Sequence, residues 1–469
     1  MPTLTDGAGG LLGIDLGTTE LRVGLLALDG RLLGAGSAAY PTDRGDDGRA
    51  EQDPGRWWEA LEAATRAVLA AAGGGIGVAA ICGVGQGPTI ALLDEAGRPV
   101  RPAITWQDRR VAATGFGLLP RLAWVAAADP GAVARARWAA TAWDALGFHL
   151  TGVAATSLQA HERALEPAEL RAAGLDPALV PPPLPVGARL GGLRPELADR
   201  LGLAPGIPVI AGVNDGTASM LGAGLLEPGE AVDTGGASGG IGIYAAAPVD
   251  LPGTFVAPAP IEGRWVLGGA MAATGAALDW LAGPILGGVP LETLLAEAAP
   301  VPAGAGGLVF LPYLAGERAP IFDDAARGAF VGLTLDHGRA HLARAVLEAA
   351  ALALRHVAEP IRAAGVPLVE LRLAGRPARS DLWARIKADV LGVPVALLGS
   401  GETAVVGAAV LAASGAGLAP TLEAAVRRLV RVERRIAPDP ATAAVYEARY
   451  RVYRDLYPAL RESMAALGG

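Results

Sequence analysis

Short apolar runs alternate along the chain with turns that carry glycine, a hydroxyl and an acid. Residues 11–16 and 20–28 are apolar strands joined through Gly17, Thr18 and Thr19, and a third strand, 31–39, follows the turn Asp29-Gly30. Three strands joined by tight turns predict an antiparallel meander. The period then becomes helical over about 53–72, with Asp53 as N-cap and Pro54 in the first turn. Two apolar strands, 78–84 and 89–93, come next, followed by a turn, a helical pattern over 129–150 and a proline-rich surface stretch at 181–187. Strand 207–213 then runs into Asn214-Asp215-Gly216, which opens a helical segment.

The second half repeats the theme. Residues 231–244 read as strand, Asp233 and Thr234, a glycine-rich turn and a second strand, about 220 residues after the same arrangement near Asp15. Helix 270–283, strand 307–312, helix 338–364, strand 368–374 and helices 380–391, 402–414 and 440–467 complete the pattern. Two halves that each open on such a hairpin predict duplicated α/β domains, 1–229 and 230–469, with their hairpins facing across a cleft.

Composition narrows the function. A chain of 469 residues is long for one core, which agrees with two domains. The net charge of −8, with no basic block, argues against nucleic acid or an anionic membrane as partner. Cys82 is the only cysteine, so no disulfide or cysteine-based zinc site forms, as suits a reducing, cytoplasmic setting. His337 and His341 are the one i,i+4 histidine pair and have no acid between them. The N-terminal residues carry no secretory leader pattern. Residues 67–93 are uncharged and long enough to cross a bilayer, but they hold a glycine run, Gln86 and Pro88, so a helix end, a turn and strands are expected there.

The turns suggest a ligand. Glycine turns let backbone N–H groups converge into an anion-binding nest, and Thr18, Thr19 and Ser238 add hydroxyl donors. Asp15 ends a strand that should be buried, where an unpaired carboxylate is costly and Mg²⁺ bound to phosphate would relieve that cost. Lys387 is the chain's only lysine and stands in no P-loop, and the glycines at 85–87 precede a strand, so neither a P-loop nor a dinucleotide fingerprint is present. Asp215 suits either a helix N-cap or a general base, with Gly212 and Gly216 favouring close ligand approach.

These segments resemble the FGGY carbohydrate kinases of the actin/hexokinase/Hsp70-like ATPase superfamily over nearly the whole chain. GIDLGTTELRV is similar to the first phosphate motif, GVNDGTASMLGAG to the segment with the catalytic aspartate, and DTGGASGG to the second phosphate motif. FLPYLAGERAPIFDDAARGAFVGLTLDHGRAHLARAVLE carries the C-terminal signature, and ARSDLWARIKADVLGVPV and ETAVVGAAVLAA resemble the adenosine-side helices. The resemblance implies two RNase H-like domains around a cleft, the first holding sugar and the second ATP. It implies ATP-dependent phosphorylation of a sugar or polyol, a ketopentose such as xylulose or ribulose being favoured. Asp215 would be the base and Asp15 would organise Mg²⁺. Gly17, Thr18, Thr19, Gly235, Gly236, Ala237 and Ser238 would cradle phosphate, and Gly375, Arg376 and Arg379 would border the nucleotide. Gln86, Trp106, Asp108 and Asn214 would lie with Asp215 nearest the sugar. Two departures stand out. Gly87-Pro88 follows Gln86 where relatives carry substrate-reading residues, and Arg376-Pro377 interrupts a glycine run. A catalytically silent sugar-binding protein on the same fold is the alternative, and a homodimer is compatible with the sequence.

Overall fold

The computed structural model describes residues 9–73, 76–111, 118–157, 166–233, 235–373 and 375–467, the Arg376 side chain excepted. Two compact units are present, Met1–Gly224 with Glu402–Arg431 and Leu225–Gly401 with Val432–Gly469.

In the first unit the central strand Gly10–Leu16 is buried along its length. It pairs antiparallel with Glu20–Ala27, which pairs antiparallel with Leu32–Ala39, so the expected meander forms. On its other edge it runs parallel to Val78–Gly85, and Pro208–Ile210 and Arg189–Gly192 extend the sheet. A strand beside a parallel neighbour needs both faces covered. Leu12 and Ile14 pack with Trp57 and Leu61 of helix Pro54–Ala71. Alternation turns Gly13 and Asp15 to the opposite face. There a Cβ on Gly13 would stand 2.2 Å from the carbonyl of Val405, so only glycine lets helix Thr403–Gly415 lie this close. A second, antiparallel sheet joins Asp43–Arg44, Ala50–Gln52, Ala103–Ile104, Ile90–Leu93 and Trp138–Thr141.

The second unit repeats the plan. Central strand Glu230–Asp233 pairs antiparallel with Gly240–Ala245 and parallel with Glu370–Leu373. Trp265–Ala270 completes the meander, and Val395–Leu398 and Val432–Ile436 extend the far edge. Each half therefore has the RNase H-like arrangement expected from the repeated hairpin. Helix Arg339–Ala363 fills this core, closed by Tyr446, Tyr450 and Tyr453 of helix Pro440–Leu467.

Three expectations change. The helical pattern over 129–150 resolves into helix Pro130–Arg135, strand Trp138–Thr141 and helix Ala142–Thr151. Pairing of Trp138–Thr141 with Ile90–Leu93 overrides the helix propensity of its alanines. The helix expected at 270–283 starts at Thr274, because 265–270 supplies the third meander strand. The helix over 402–414, grouped by resemblance with the adenosine side, belongs to the first unit, so a single cut after residue 229 does not describe the two bodies.

The reason for that return is steric. A Cβ on Gly222, in helix Asp215–Gly222, would sit 1.8 Å from the Thr403 carbonyl, and one on Gly407 would sit 1.9 Å from that of Ala218. Glycine to alanine inside a helix normally stabilises by about 1 kcal/mol. Here overpacking against backbone dominates, and Gly222→Ala is expected to destabilise by about 1–3 kcal/mol. Urea unfolding checks the sign; an unchanged or raised midpoint would refute the close crossing. Among the described residues no helix is long and apolar enough to cross a membrane, and 67–93 divides into a helix end and strands as expected.

Candidate active site

Asp15 and Arg22 are cross-strand partners on the face covered by helix Thr403–Gly415. Arg22 meets three carboxylates, with Nη1 at 3.3 Å from Asp15 Oδ2, Nη2 at 2.8 Å from Glu20 and Nε at 3.5 Å from Glu402. Asp15 is 4% exposed, and its Oδ1 is buried without a hydrogen-bond partner. Burial pushes its pKa up to about 7, the neighbouring charge of Asp215 adds to the rise, and Arg22 opposes it. An orphaned carboxylate oxygen in a nearly closed site is the feature a divalent cation would complete. Among the described residues no group of three or more His, Cys, Asp or Glu could hold a metal ion.

Asp215 opens helix Asp215–Gly222, with Asn214 as the N-cap whose side chain accepts from Thr217 N–H at 2.9 Å. Capping is thus the work of Asn214, which frees Asp215 for another role. Its Oδ1 accepts from Gly216 N–H at 2.8 Å. Burial pushes its pKa up to about 6 against the pull of the helix amides. Gly216 admits that amide contact, whereas Gly212 serves packing, since a Cβ there would lie 1.8 Å from the Gly83 carbonyl. The expected ligand-approach role of Gly212 is therefore corrected to a close backbone crossing.

The hairpin turn is tied to the loop that bears Trp106. Gly17 N–H donates to Glu20 O at 3.1 Å and Gly17 O accepts from the Tyr40 hydroxyl, so this glycine closes the turn. Thr18 Oγ1 accepts from Trp106 Nε1 at 3.0 Å, and Thr18 O accepts from Gln52 Nε2 at 2.7 Å. Gln52 Oε1 in turn accepts from Gln86 Nε2 at 2.7 Å and Trp57 Nε1 at 3.0 Å. Gln86 is fully buried, its Oε1 has no partner, and the peptide Gly87-Pro88 beyond it is cis. Thr19 is exposed.

Asp108 departs from expectation. Its carboxylate accepts from Ala50 N–H at 3.0 Å, from Arg110 N–H at 3.0 Å and from the Arg110 guanidinium at 2.6 Å, with a side chain 0% exposed. Burial works against its charge, but Arg110 and these amides outweigh burial and hold its pKa below the usual range. Arg110 also binds Glu51 at 2.6 Å and lies 4.5 Å over the Trp124 ring. A carboxylate so enclosed has no face left for a sugar. Asp108 belongs to an ion-pair cluster with Arg110 and Glu51, and Arg121 donates to Trp106 O at 3.3 Å.

In the second unit Gly235 and Gly236 have φ of +64° and +89°, conformations that disfavour side chains. Ala237 O accepts from Gly275 and Ala276 N–H, and Ser238 O accepts from Thr274 N–H at 3.0 Å, which anchors the turn from behind. Gly236 and Ala237 are exposed and Ser238 is half-buried. Asp233, by contrast, has both carboxylate oxygens engaged within the protein. Its Oδ2 pairs with the Lys387 ammonium and its Oδ1 accepts from Gly235 N–H at 2.9 Å. Gly375, at φ +63°, precedes a short 3₁₀ turn, Arg376–Arg379, in which Pro377 sits at the start where a missing N–H costs little. Arg379 is exposed, and the Arg376 side chain lies outside the described residues. His337 and His341 accept from Thr334 and Gly338 N–H, so they close a turn and a helix start.

Sequence reasoning passed over Arg22, Gln52 and Glu402. The signal for Arg22 was a cation inside an apolar strand, two residues from Glu20 and therefore on its face. Nothing local marks Glu402, which arrives from the other end of the chain.

The comparisons accord with this geometry. Residues 11–118 match the N-terminal domain of the FGGY family of carbohydrate kinases, and residues 233–416 match its C-terminal domain. A xylulose kinase of Escherichia coli (strain K12) is 31% identical, over 97% of this chain and 100% of the relative. A glycerol kinase of Thermus brockianus is 32% identical, over 87% of this chain and 90% of the relative. The crystal structure of xylulose kinase from Rhodospirillum rubrum superposes with a TM-score of 0.84 at 32% identity, over 97% of this chain and 99% of that one. With both family halves matched in order and a 31% identical relative aligned over 97% of this chain, the chain belongs to the FGGY family of carbohydrate kinases and is itself a carbohydrate kinase, of actin-like ATPase fold.

Proposed function

We propose that the chain phosphorylates a ketopentose, xylulose foremost, with the first unit holding the sugar and the second the nucleotide. The observation that carries the assignment of roles is Asp215, half-buried beside the Asn214 cap at a helix start and poised at a pKa of about 6. A base with that pKa is ionised at neutral pH yet accepts a proton readily. As the acceptor oxygen forms its bond to the γ-phosphorus and the bond to the ADP oxygen breaks, the hydroxyl proton passes to Asp215. ATP supplies the phosphoryl group, and Mg²⁺ screens its charge. Asp15 is the residue that would hold the ion, through the Oδ1 that no protein group satisfies. Arg22 keeps that carboxylate in place, while Gln52 and Trp106 hold Thr18 and the sugar loop in one network.

Xylulose is favoured because xylulose kinases about 30% identical align with this chain over essentially their entire length. The silent-protein alternative has less support, since the acid pair and both glycine turns are intact. A cytoplasmic setting fits an ATP-dependent enzyme with one buried thiol.

A coupled ADP-release assay over xylulose, ribulose, glycerol and gluconate tests the substrate. Xylulose should give the highest kcat/KM, exceeding glycerol by about 10²-fold or more, because hydroxyl-binding sites reject analogues that leave polar groups unpaired. A higher value for glycerol or gluconate would overturn the ketopentose assignment and leave the kinase intact.

A further inference from the structure

The two halves place an aspartate at the same position, two residues before the first glycine of each turn, Asp15 before Gly17 and Asp233 before Gly235. Their environments are opposite. Asp15 keeps one oxygen without a partner, whereas both oxygens of Asp233 are engaged. The partner of Asp233 is Lys387, 2% exposed and the only lysine in 469 residues. Its ammonium also lies 4.6 Å over the Trp383 ring. All other cationic side chains in the chain are arginine or histidine, yet this one buried position carries the compact ammonium.

Burying an ion pair gains little stability, because desolvation offsets most of the attraction, and well-packed apolar residues would serve as well. The placement of this pair gives it another use. Lys387 stands on helix Asp381–Leu391, whose cap, Ser380, follows directly on the 3₁₀ turn Arg376–Arg379. Through Asp233 Oδ1 the ammonium is linked to Gly235 N–H, the first amide of the other glycine turn. One rigid helix therefore begins at one turn and fixes the start of the second. The amide of Gly235 is consumed in the process, so the outward-facing part of this turn begins at Gly236.

We propose that Lys387 is a positioning residue for ATP, acting through its buried pair with Asp233 to hold the 235–238 turn in register with the 375–379 turn. The proposal rests on the assignment of both turns to the nucleotide. It separates position from stability, and that difference is measurable.

The experiment compares wild type, Lys387→Met, and the double variant Asp233→Asn with Lys387→Met. ATP binding to the wild type, measured first by calorimetry, is expected; its absence would overturn the nucleotide assignment and this proposal with it. Lys387→Met leaves a buried carboxylate unpaired, so Tm should fall. The double variant removes both charges and should recover most of that loss. In the double variant KM for ATP should nonetheless be raised by about tenfold, because a misplaced binding element is costly even far from the chemistry. Its sugar affinity, read by calorimetry without nucleotide, should match wild type. A double variant with recovered Tm and wild-type KM for ATP would reduce the pair to packing and overturn the proposal alone. A parallel loss of sugar affinity would do the same, since it would report general damage. If the single variant fails to fold, the double variant still decides between these outcomes.

Discussion

Asp215→Asn is expected to lower kcat by about 10²-fold or more, the usual scale for loss of a general base, while the protein stays folded. Asn214 caps the helix, so the cap survives the change, and an asparagine Oδ1 can still accept from Gly216 N–H. What is lost is the ability to take a proton. The wild type should also show acid inhibition of a particular form. Burial raises Asp215 to about 6, so kcat/KM should fall as pH drops below that value and the carboxylate becomes protonated. The Asn variant should lose this limb and keep only its low residual rate. A pH series from 5 to 9 on both proteins checks the two statements together. Near-wild-type turnover in a folded Asn variant would remove Asp215 from the role, and an unchanged acid limb would assign that limb to another group.

How far the sequence carried this reading depended on whether the signal was local. The hairpin around Gly17, the cap at Asp53 and the Asn214-Asp215 helix start are each written in fewer than ten residues, and each forms as expected. The repeat was equally legible, because Asp15 and Asp233 sit in the same phrase. The strand Trp138–Thr141 was not, since its alanines read as helix and only its partner strand decides otherwise. Asp108 shows the same limit from the side of function. A carboxylate beside Trp106 suggests a polyol ligand, but Arg110, two residues on, and Ala50 of a distant strand claim it. Helix Thr403–Gly415 is the largest case. Its pattern predicts a helix, and nothing in it foretells that Gly13 and Gly222 leave room for it in the first unit, with its own Gly407 against Ala218. Local structure was therefore legible within one segment, and it was misread where a remote segment supplied the partner.

Asp15→Asn should impair catalysis by about 10²-fold or more, and it should also make the free protein more stable at alkaline pH, a combination that a purely structural residue would not give. The sign follows from linkage. Burial raises the Asp15 pKa from 3.8 to about 7, so the folded state binds this proton more tightly than the unfolded state does. The stabilising contribution is fully present below about pH 4 and is lost as pH rises through 7, at a cost on the order of a few kcal/mol by pH 8. Asparagine has no such proton, so the difference in Tm between variant and wild type should widen in favour of the variant from pH 5 to pH 8. Added Mg²⁺ with a non-hydrolysable ATP analogue should then raise the wild-type Tm at pH 8 by more than it raises the variant's, because only the carboxylate gains a partner for its unsatisfied oxygen. EDTA should abolish that extra gain. Parallel Tm curves across the pH range would show that Arg22 already neutralises Asp15. Equal stabilisation of both proteins by the metal and analogue would mean that the ion is held without it.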